Sequence, residues 1–134
     1  MDMAPFYETA PQDVVDQPDF LNTVVSGYTT LSPVNLLQFV HRLEHEGDRV
    51  REGAIPKGPR TLDIDILMYG NTVGTWALPQ GGELTIPHRS MHQRLFVLEP
   101  LLALSPKLID PRDGEPWALK ASRLLDQRVK LYET

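Results

Sequence analysis

Cysteine is absent from this chain, which excludes disulfide cross-links, thiolate chemistry and zinc sites built on cysteine. No stretch approaches the roughly 20 consecutive apolar residues that a membrane-spanning helix requires. Nor is there the excess of positive charge that marks a nucleic-acid binder, because the formal net charge is −5. Internal repeats and low-complexity tracts are missing, and no linker is long enough to divide the chain. The opening MDMAPFYETAP has neither a basic n-region nor an apolar h-region, so a secretory signal is not expected and a cytoplasmic location is. What remains is 134 residues, read as one domain spanning 1–134 and long enough to bury a core.

Positive charge is present, but only locally. Between Gly47 and Arg60 stand Arg49, Arg51, Lys57 and Arg60 against Asp48 and Glu52. A basic, Gly/Pro-punctuated loop on an acidic protein suits a small polyanion such as a nucleotide, although a solvated loop has the same composition.

The segment GPRTLDIDILMYG, Gly58 to Gly70, follows directly. Its β-branched and apolar run from Leu62 to Tyr69 predicts a strand. Alternation places Asp63 and Asp65 on one face and Leu62, Ile64, Ile66 and Met68 on the other. Two residues along a strand span about 6.6 Å. Paired Mg²⁺ ions in phosphoryl-transfer sites lie about 3.5–4 Å apart, each about 2.1 Å from its oxygen ligands. The two carboxylates are thus spaced to hold a metal pair, and Arg60 adds a forked donor for phosphate oxygens. Alternating charge on an exposed edge strand is the competing reading.

The remaining pattern is α+β. Phe6–Thr9 reads as the end of a strand and Phe20–Thr30 as a second, with Phe20, Asn22, Val24, Ser26 and Tyr28 on one face. Ser32-Pro33 predicts a helix start, serine as N-cap and proline in the first turn. Leu36, Leu37, Val40 and Leu43 form its apolar stripe, and Gly47 is expected to end it or nearly so. Thr72–Leu78 is expected to return as a hairpin partner, and Gln80-Gly81-Gly82 to turn into a short strand, Leu84–Ile86, stopped by Pro87. Ser90–Leu98 is expected to be helical and broken by Pro100, with a last helix over Ala118–Val129.

Among smaller features, His41 and His45 stand one helical turn apart, without the HExxH order or an evident third metal ligand. Glu44 could face a nucleotide or solvent. Asn22 sits mid-strand, where asparagine is disfavoured, and its amide can pair with a heterocycle edge. Phe20 shares that face; it and Phe96 are core residues by default. His88, Arg89 and Arg94 form a cluster suited either to phosphate or to a solvated turn.

Three blocks then carry a resemblance: YETAPQDVVDQPDFLN (Tyr7–Asn22), GPRTLDIDILMYG and TIPHRSMHQRLFVLEPL (Thr85–Leu101). Together they resemble 6-hydroxymethyl-7,8-dihydropterin pyrophosphokinase, a folate-pathway family, and in matching order and spacing they span most of the chain. The resemblance implies transfer of the β,γ-pyrophosphoryl group of ATP to the pterin hydroxymethyl oxygen, leaving AMP. It implies that Asp63 and Asp65 hold two Mg²⁺ ions and that Arg51 and Arg60 close over the triphosphate. Phe20 and Phe96 would sandwich the pterin, Asn22 would read its amide edge, and Thr9 would add backbone hydrogen bonds. On the ATP side the matching positions are His41, Glu44, Arg51, Arg60, Ile66, Thr85, His88 and Arg94. Phe20 stands where some members carry tyrosine, and His41 where many carry glutamine. Lys57 stands where several members carry tryptophan, Pro56 where a basic residue is common, and Glu83 where an arginine can serve ATP.

The family's fold implies a ferredoxin-like antiparallel sheet with helices packed on it. Its members open with a strand carrying Gly-Ser-Asn and a first helix, and that βα element is expected to be missing here. Self-association through exposed strand edges is expected in consequence. Two other functional classes stay open at this level: a truncated, inactive remnant that binds pterin or nucleotide, and a metal-dependent phosphohydrolase. The latter leaves Phe20 and Asn22 without a role.

Overall fold

A computed structural model describes residues 1–9, 20–52 and 62–133, the side chains of 48–52 excepted. In chain order the elements are β1 (Asp2–Met3), β2 (Tyr7–Thr9), β3 (Phe20–Asn22), β4 (Val25–Ser26), α1 (Pro33–Glu52), β5 (Gly74–Ala77), β6 (Glu83–Ile86), α2 (Leu95–Leu104), α3 (Trp117–Ser122) and β7 (Lys130–Leu131). A single 3₁₀ turn, Met91–Gln93, precedes α2. All the strand pairs are antiparallel, so the fold is mixed α and β, as the pattern implied. The chain divides into two compact units, one of residues 1–29 with 89–134 and one of residues 30–88.

In the first unit, β2 lies between β3 and β7, and β1 pairs separately with β4. The long strand expected over Phe20–Thr30 is therefore two short ones in different sheets. The chain changes partner at Thr23-Val24, where the Thr23 hydroxyl donates to the Ala4 carbonyl at 2.8 Å and Val24 is buried. Helix α2 packs against β2, β3 and α3. Its Leu95, Leu98 and Leu101 join Met91, Trp117 and Ala121 among the buried side chains. The helix placed over Ser90–Leu98 begins at Leu95 and continues through Pro100 to Leu104. Proline in mid-helix removes an amide donor and crowds the carbonyl four residues back, and the burial of Leu98 and Leu101 on either side outweighs that cost. The last helix ends at Ser122 rather than Val129, because Gln127 turns back towards α2 and Lys130-Leu131 joins β2 as a strand.

The tail of this unit is organised by Asp110, which is fully buried. Its carboxylate accepts from the Arg112 guanidinium at 2.8 Å and from the Lys120 ammonium at 2.6 Å. Both cations also lie over the Trp117 ring, at 5.7 and 5.3 Å. Burial pushes the Asp110 carboxyl up, but the bonds from Arg112 and Lys120 outweigh it and hold the group well below the usual carboxylate range.

In the second unit, α1 starts as its sequence predicts, with the Ser32 hydroxyl accepting from the Asn35 amide at 3.2 Å. It does not end at Gly47 but runs to Glu52. The inward line of the helix is Val40 and Glu44, 7% and 6% exposed, whereas Leu43 is 42% exposed. The apolar stripe is thus correct at Val40 and wrong at Leu43, because residues four apart share a face. The predicted strand Leu62–Tyr69 forms no ladder among the described residues. High β-propensity describes a side-chain surface fit for a sheet, but the ladder itself needs a partner. The expected hairpin partner of this run, Thr72–Leu78, pairs instead with β6, through Gly74↔Ile86 and Trp76↔Leu84. Gly81 and Gly82, at φ 102° and 83°, supply the turn between them. A Cβ at Gly74 would sit 3.1 Å from the Trp76 ring, so that position takes glycine to let the indole approach.

Candidate functional site

The pterin-directed residues of the sequence reading gather in the first unit. Strand pairing places Thr9 opposite Phe20 and Tyr7 opposite Asn22, so side chains of all four share one face. The Asn22 amide nitrogen donates to the Thr9 hydroxyl at 2.9 Å. That bond orients the amide and explains why an asparagine is retained in a strand. Phe20 is 50% exposed, far more than a core phenylalanine would be, and offers a ring face on the same surface. Phe96 lies in the first turn of α2, the helix that packs on β2 and β3. The Arg94 guanidinium stands over the Phe96 ring, 5.7 Å from its centroid, a cation–π arrangement.

The metal- and nucleotide-directed residues lie mainly in the second unit. Asp63 and Asp65 are both exposed, while Ile64 and Ile66 are half-buried. The two-face pattern read from the sequence therefore survives without a sheet ladder. Two hydrogen bonds fix this segment. The Ile64 amide, between the two aspartates, donates to the buried Glu44 carboxylate at 2.8 Å. The Leu67 carbonyl accepts from the His88 amide at 2.8 Å, which brings the end of β6 alongside Ile66 and Leu67. Thr85 stands on β6, its hydroxyl 3.2 Å from that of Thr75.

His41 is exposed on α1, as is His45. No group of three or more histidine, aspartate or glutamate residues close enough to hold a metal occurs among the described residues. Mg²⁺ is commonly held by one or two carboxylates together with waters and substrate phosphates. Two exposed carboxylates flanking an anchored amide fit that ion. Arg60 lies outside the described residues, and Arg51 falls in α1 where side chains are not described.

Glu44, which by sequence could face nucleotide or solvent, also has a structural partner, Ile64. The sequence signal for that was its spacing, since it follows buried Val40 by one turn. Gln127 went unread altogether. Its side-chain oxygen accepts from the Leu95 amide at 2.8 Å and its nitrogen donates to the Gln93 carbonyl at 2.8 Å. Nothing local marks a glutamine for such a task.

Residues 1–106 match the family model of 7,8-dihydro-6-hydroxymethylpterin-pyrophosphokinase (HPPK). The chain belongs to the HPPK family. Similar proteins include the folic acid synthesis protein fol1 of Schizosaccharomyces pombe, 41% identical over 134 residues, which are all of this chain and 17% of that protein. The 2-amino-4-hydroxy-6-hydroxymethyldihydropteridine pyrophosphokinase of Haemophilus influenzae is 44% identical over 106 residues, 79% of this chain and 62% of that protein. The enzyme of the same name from Pseudomonas aeruginosa is 42% identical over 112 residues, 84% of this chain and 64% of that protein. The chain thus spans less than two thirds of the length of these relatives. The HPPK match includes Thr9, Phe20, Asn22, Asp63, Asp65, His88, Arg94 and Phe96, and stops short of Gln127. No helix among the described residues is long and apolar enough to cross a membrane.

Proposed function

We propose that this chain carries out pyrophosphoryl transfer from ATP to 6-hydroxymethyl-7,8-dihydropterin, with AMP as the second product. The observation that carries the reading is the Asp63-Ile64-Asp65 segment, two exposed carboxylates on either side of an amide held by buried Glu44, within a chain of the HPPK family. In the proposed reaction the pterin hydroxymethyl oxygen attacks the β-phosphorus of ATP. The bond from that phosphorus to the oxygen bridging it to the α-phosphate breaks, and the hydroxyl proton leaves to solvent. Asp63 and Asp65 would hold two Mg²⁺ ions, which supply charge neutralisation and alignment when bound.

The chain's own residues bind and orient. Asn22, steadied by Thr9, presents its amide to the pyrimidine edge of the pterin, while Phe20 and Phe96 stack on the ring. His88 and Arg94, with His41, Glu44, Ile66 and Thr85, serve the nucleotide. Arg51 and Arg60 cover the triphosphate and exclude water that would otherwise hydrolyse it. A ferredoxin-like arrangement of the strands forms part of the same proposal. The pterin-side residues favour this reading over a metal-dependent phosphohydrolase, which has no use for Asn22 and its two aromatic neighbours.

Product analysis tests it. Incubation with ATP, MgCl₂ and the reduced pterin should yield AMP and pterin pyrophosphate in equal amounts, resolved by ³¹P NMR and chromatography. Inorganic phosphate with unmodified pterin would assign a hydrolase, and no turnover with retained pterin binding would assign an inactive binder.

A further inference from the structure

We infer that Gln127 is a positioning residue for the pterin side of the site, acting through the start of α2; this rests on the proposed function. Helix α2 begins without a side-chain cap, since Arg94 at the N-cap makes no such bond. The first amides of a helix have no intrahelical acceptor and need one from elsewhere. Gln127 meets that need from 32 residues away, its carbonyl oxygen accepting from the Leu95 amide. Its amide nitrogen simultaneously donates to the Gln93 carbonyl. The two bonds bracket Arg94, and Phe96 follows one residue later, with the Arg94 guanidinium over its ring. Alongside the bond from the Arg94 amide to the Met91 carbonyl, this one side chain therefore steadies the backbone that presents both residues.

The tail then continues from Gln127 into the sheet that carries the other half of the site. Lys130-Leu131 forms β7 against β2, with Leu131 opposite Tyr7, and the Tyr132 amide donates to the Phe6 carbonyl at 2.9 Å. Strand β2 bears Thr9 and pairs with the strand bearing Phe20 and Asn22. Residues 127–132 thus tie the α2 start to the β2–β3 pair. Their role is to set where Phe96 stands relative to Phe20 and Asn22.

The test compares Gln127→Met, similar in size but unable to make either bond, with Gln127→Glu, which keeps the acceptor for Leu95. Both are measured in the protein carrying this chain, at a temperature where each variant is fully folded. In Gln127→Met the Leu95 amide should exchange with solvent faster, and affinity for 6-hydroxymethylpterin, read by its fluorescence, should fall about fivefold to tenfold, the scale of one lost hydrogen bond. Gln127→Glu should restore most of the pterin affinity. A merely structural glutamine would lower the melting temperature of Gln127→Met while leaving pterin affinity unchanged, and that result overturns the inference. Unchanged Leu95 exchange in Gln127→Met overturns it as well, with no ligand involved. Failure of the wild-type protein to bind the pterin would instead refute the proposed function, and the two failures are distinguishable.

Discussion

Replacing Glu44 separates two roles that the same carboxylate could play. It is 6% exposed and accepts the Ile64 amide at 2.8 Å, so its removal should be felt at Asp63 and Asp65 on either side. A hydrogen bond to a charged group contributes about 1.5–3 kcal/mol and a neutral one about 0.5–1.5. Glu44→Gln, which keeps an oxygen acceptor, should therefore cost about 1 kcal/mol. Glu44→Ala also leaves the Ile64 amide without this partner and should cost about 2–3 kcal/mol. For a chain of this size each kcal/mol corresponds to roughly 3–6 °C in melting temperature. The alanine variant should thus melt roughly 6–18 °C lower and the glutamine variant roughly 3–6 °C lower. With the segment released, the Mg²⁺ concentration giving half-maximal transfer should rise about tenfold in Glu44→Ala, the equivalent of about 1.4 kcal/mol in metal binding. The assays are calorimetry and a MgCl₂ titration of AMP release. A Glu44→Ala protein with unchanged melting temperature and Mg²⁺ dependence, but a raised KM for ATP, would refute the anchoring argument and make Glu44 a nucleotide ligand alone.

Asp65→Asn should leave the melting temperature near that of the wild type and abolish transfer, since a neutral amide is a poor Mg²⁺ ligand; near-normal AMP release would remove Asp65 from the metal site. Phe96→Ala should weaken pterin binding far more than ATP binding in parallel titrations, whereas equal losses would indicate a collapsed core. The Asp110 carboxyl has a lower pKa folded than unfolded, so its contribution to stability is complete above about pH 4 and fades as pH falls further. Urea midpoints should accordingly decline below that pH, and Asp110→Asn should flatten the decline. Ser32→Ala should cost about 0.5–2 kcal/mol in urea unfolding through loss of the α1 cap, with little effect on pterin affinity.

What the sequence determined on its own is local or chemical. The Ser32-Pro33 start of α1, the glycine turn before β6 and the opposite faces of Asp63 and Ile64 follow from capping, backbone freedom and alternation. These act over a few residues and need no partner. Of the candidate site residues, Asp63 and Asp65 were legible for a related reason, a specific chemistry at short spacing, whereas the assignment of Asn22, Phe20 and Phe96 to a pterin came from the family resemblance. Tertiary structure decided the rest. Whether Leu62–Tyr69 joins a ladder, whether Thr72–Leu78 pairs before or after itself, and whether Phe20–Thr30 is one strand or two all depend on which backbone lies alongside. Pro100 and Gly47 are helix breakers by propensity, but they lie within helices here; burial of Leu98 and Leu101 beside Pro100 outweighs the broken rule. Glu44 and Gln127 show the limit most clearly. Their side chains bond to Ile64, Leu95 and Gln93, partners 20 or more residues distant in sequence, and only the folded chain brings such groups within bonding distance.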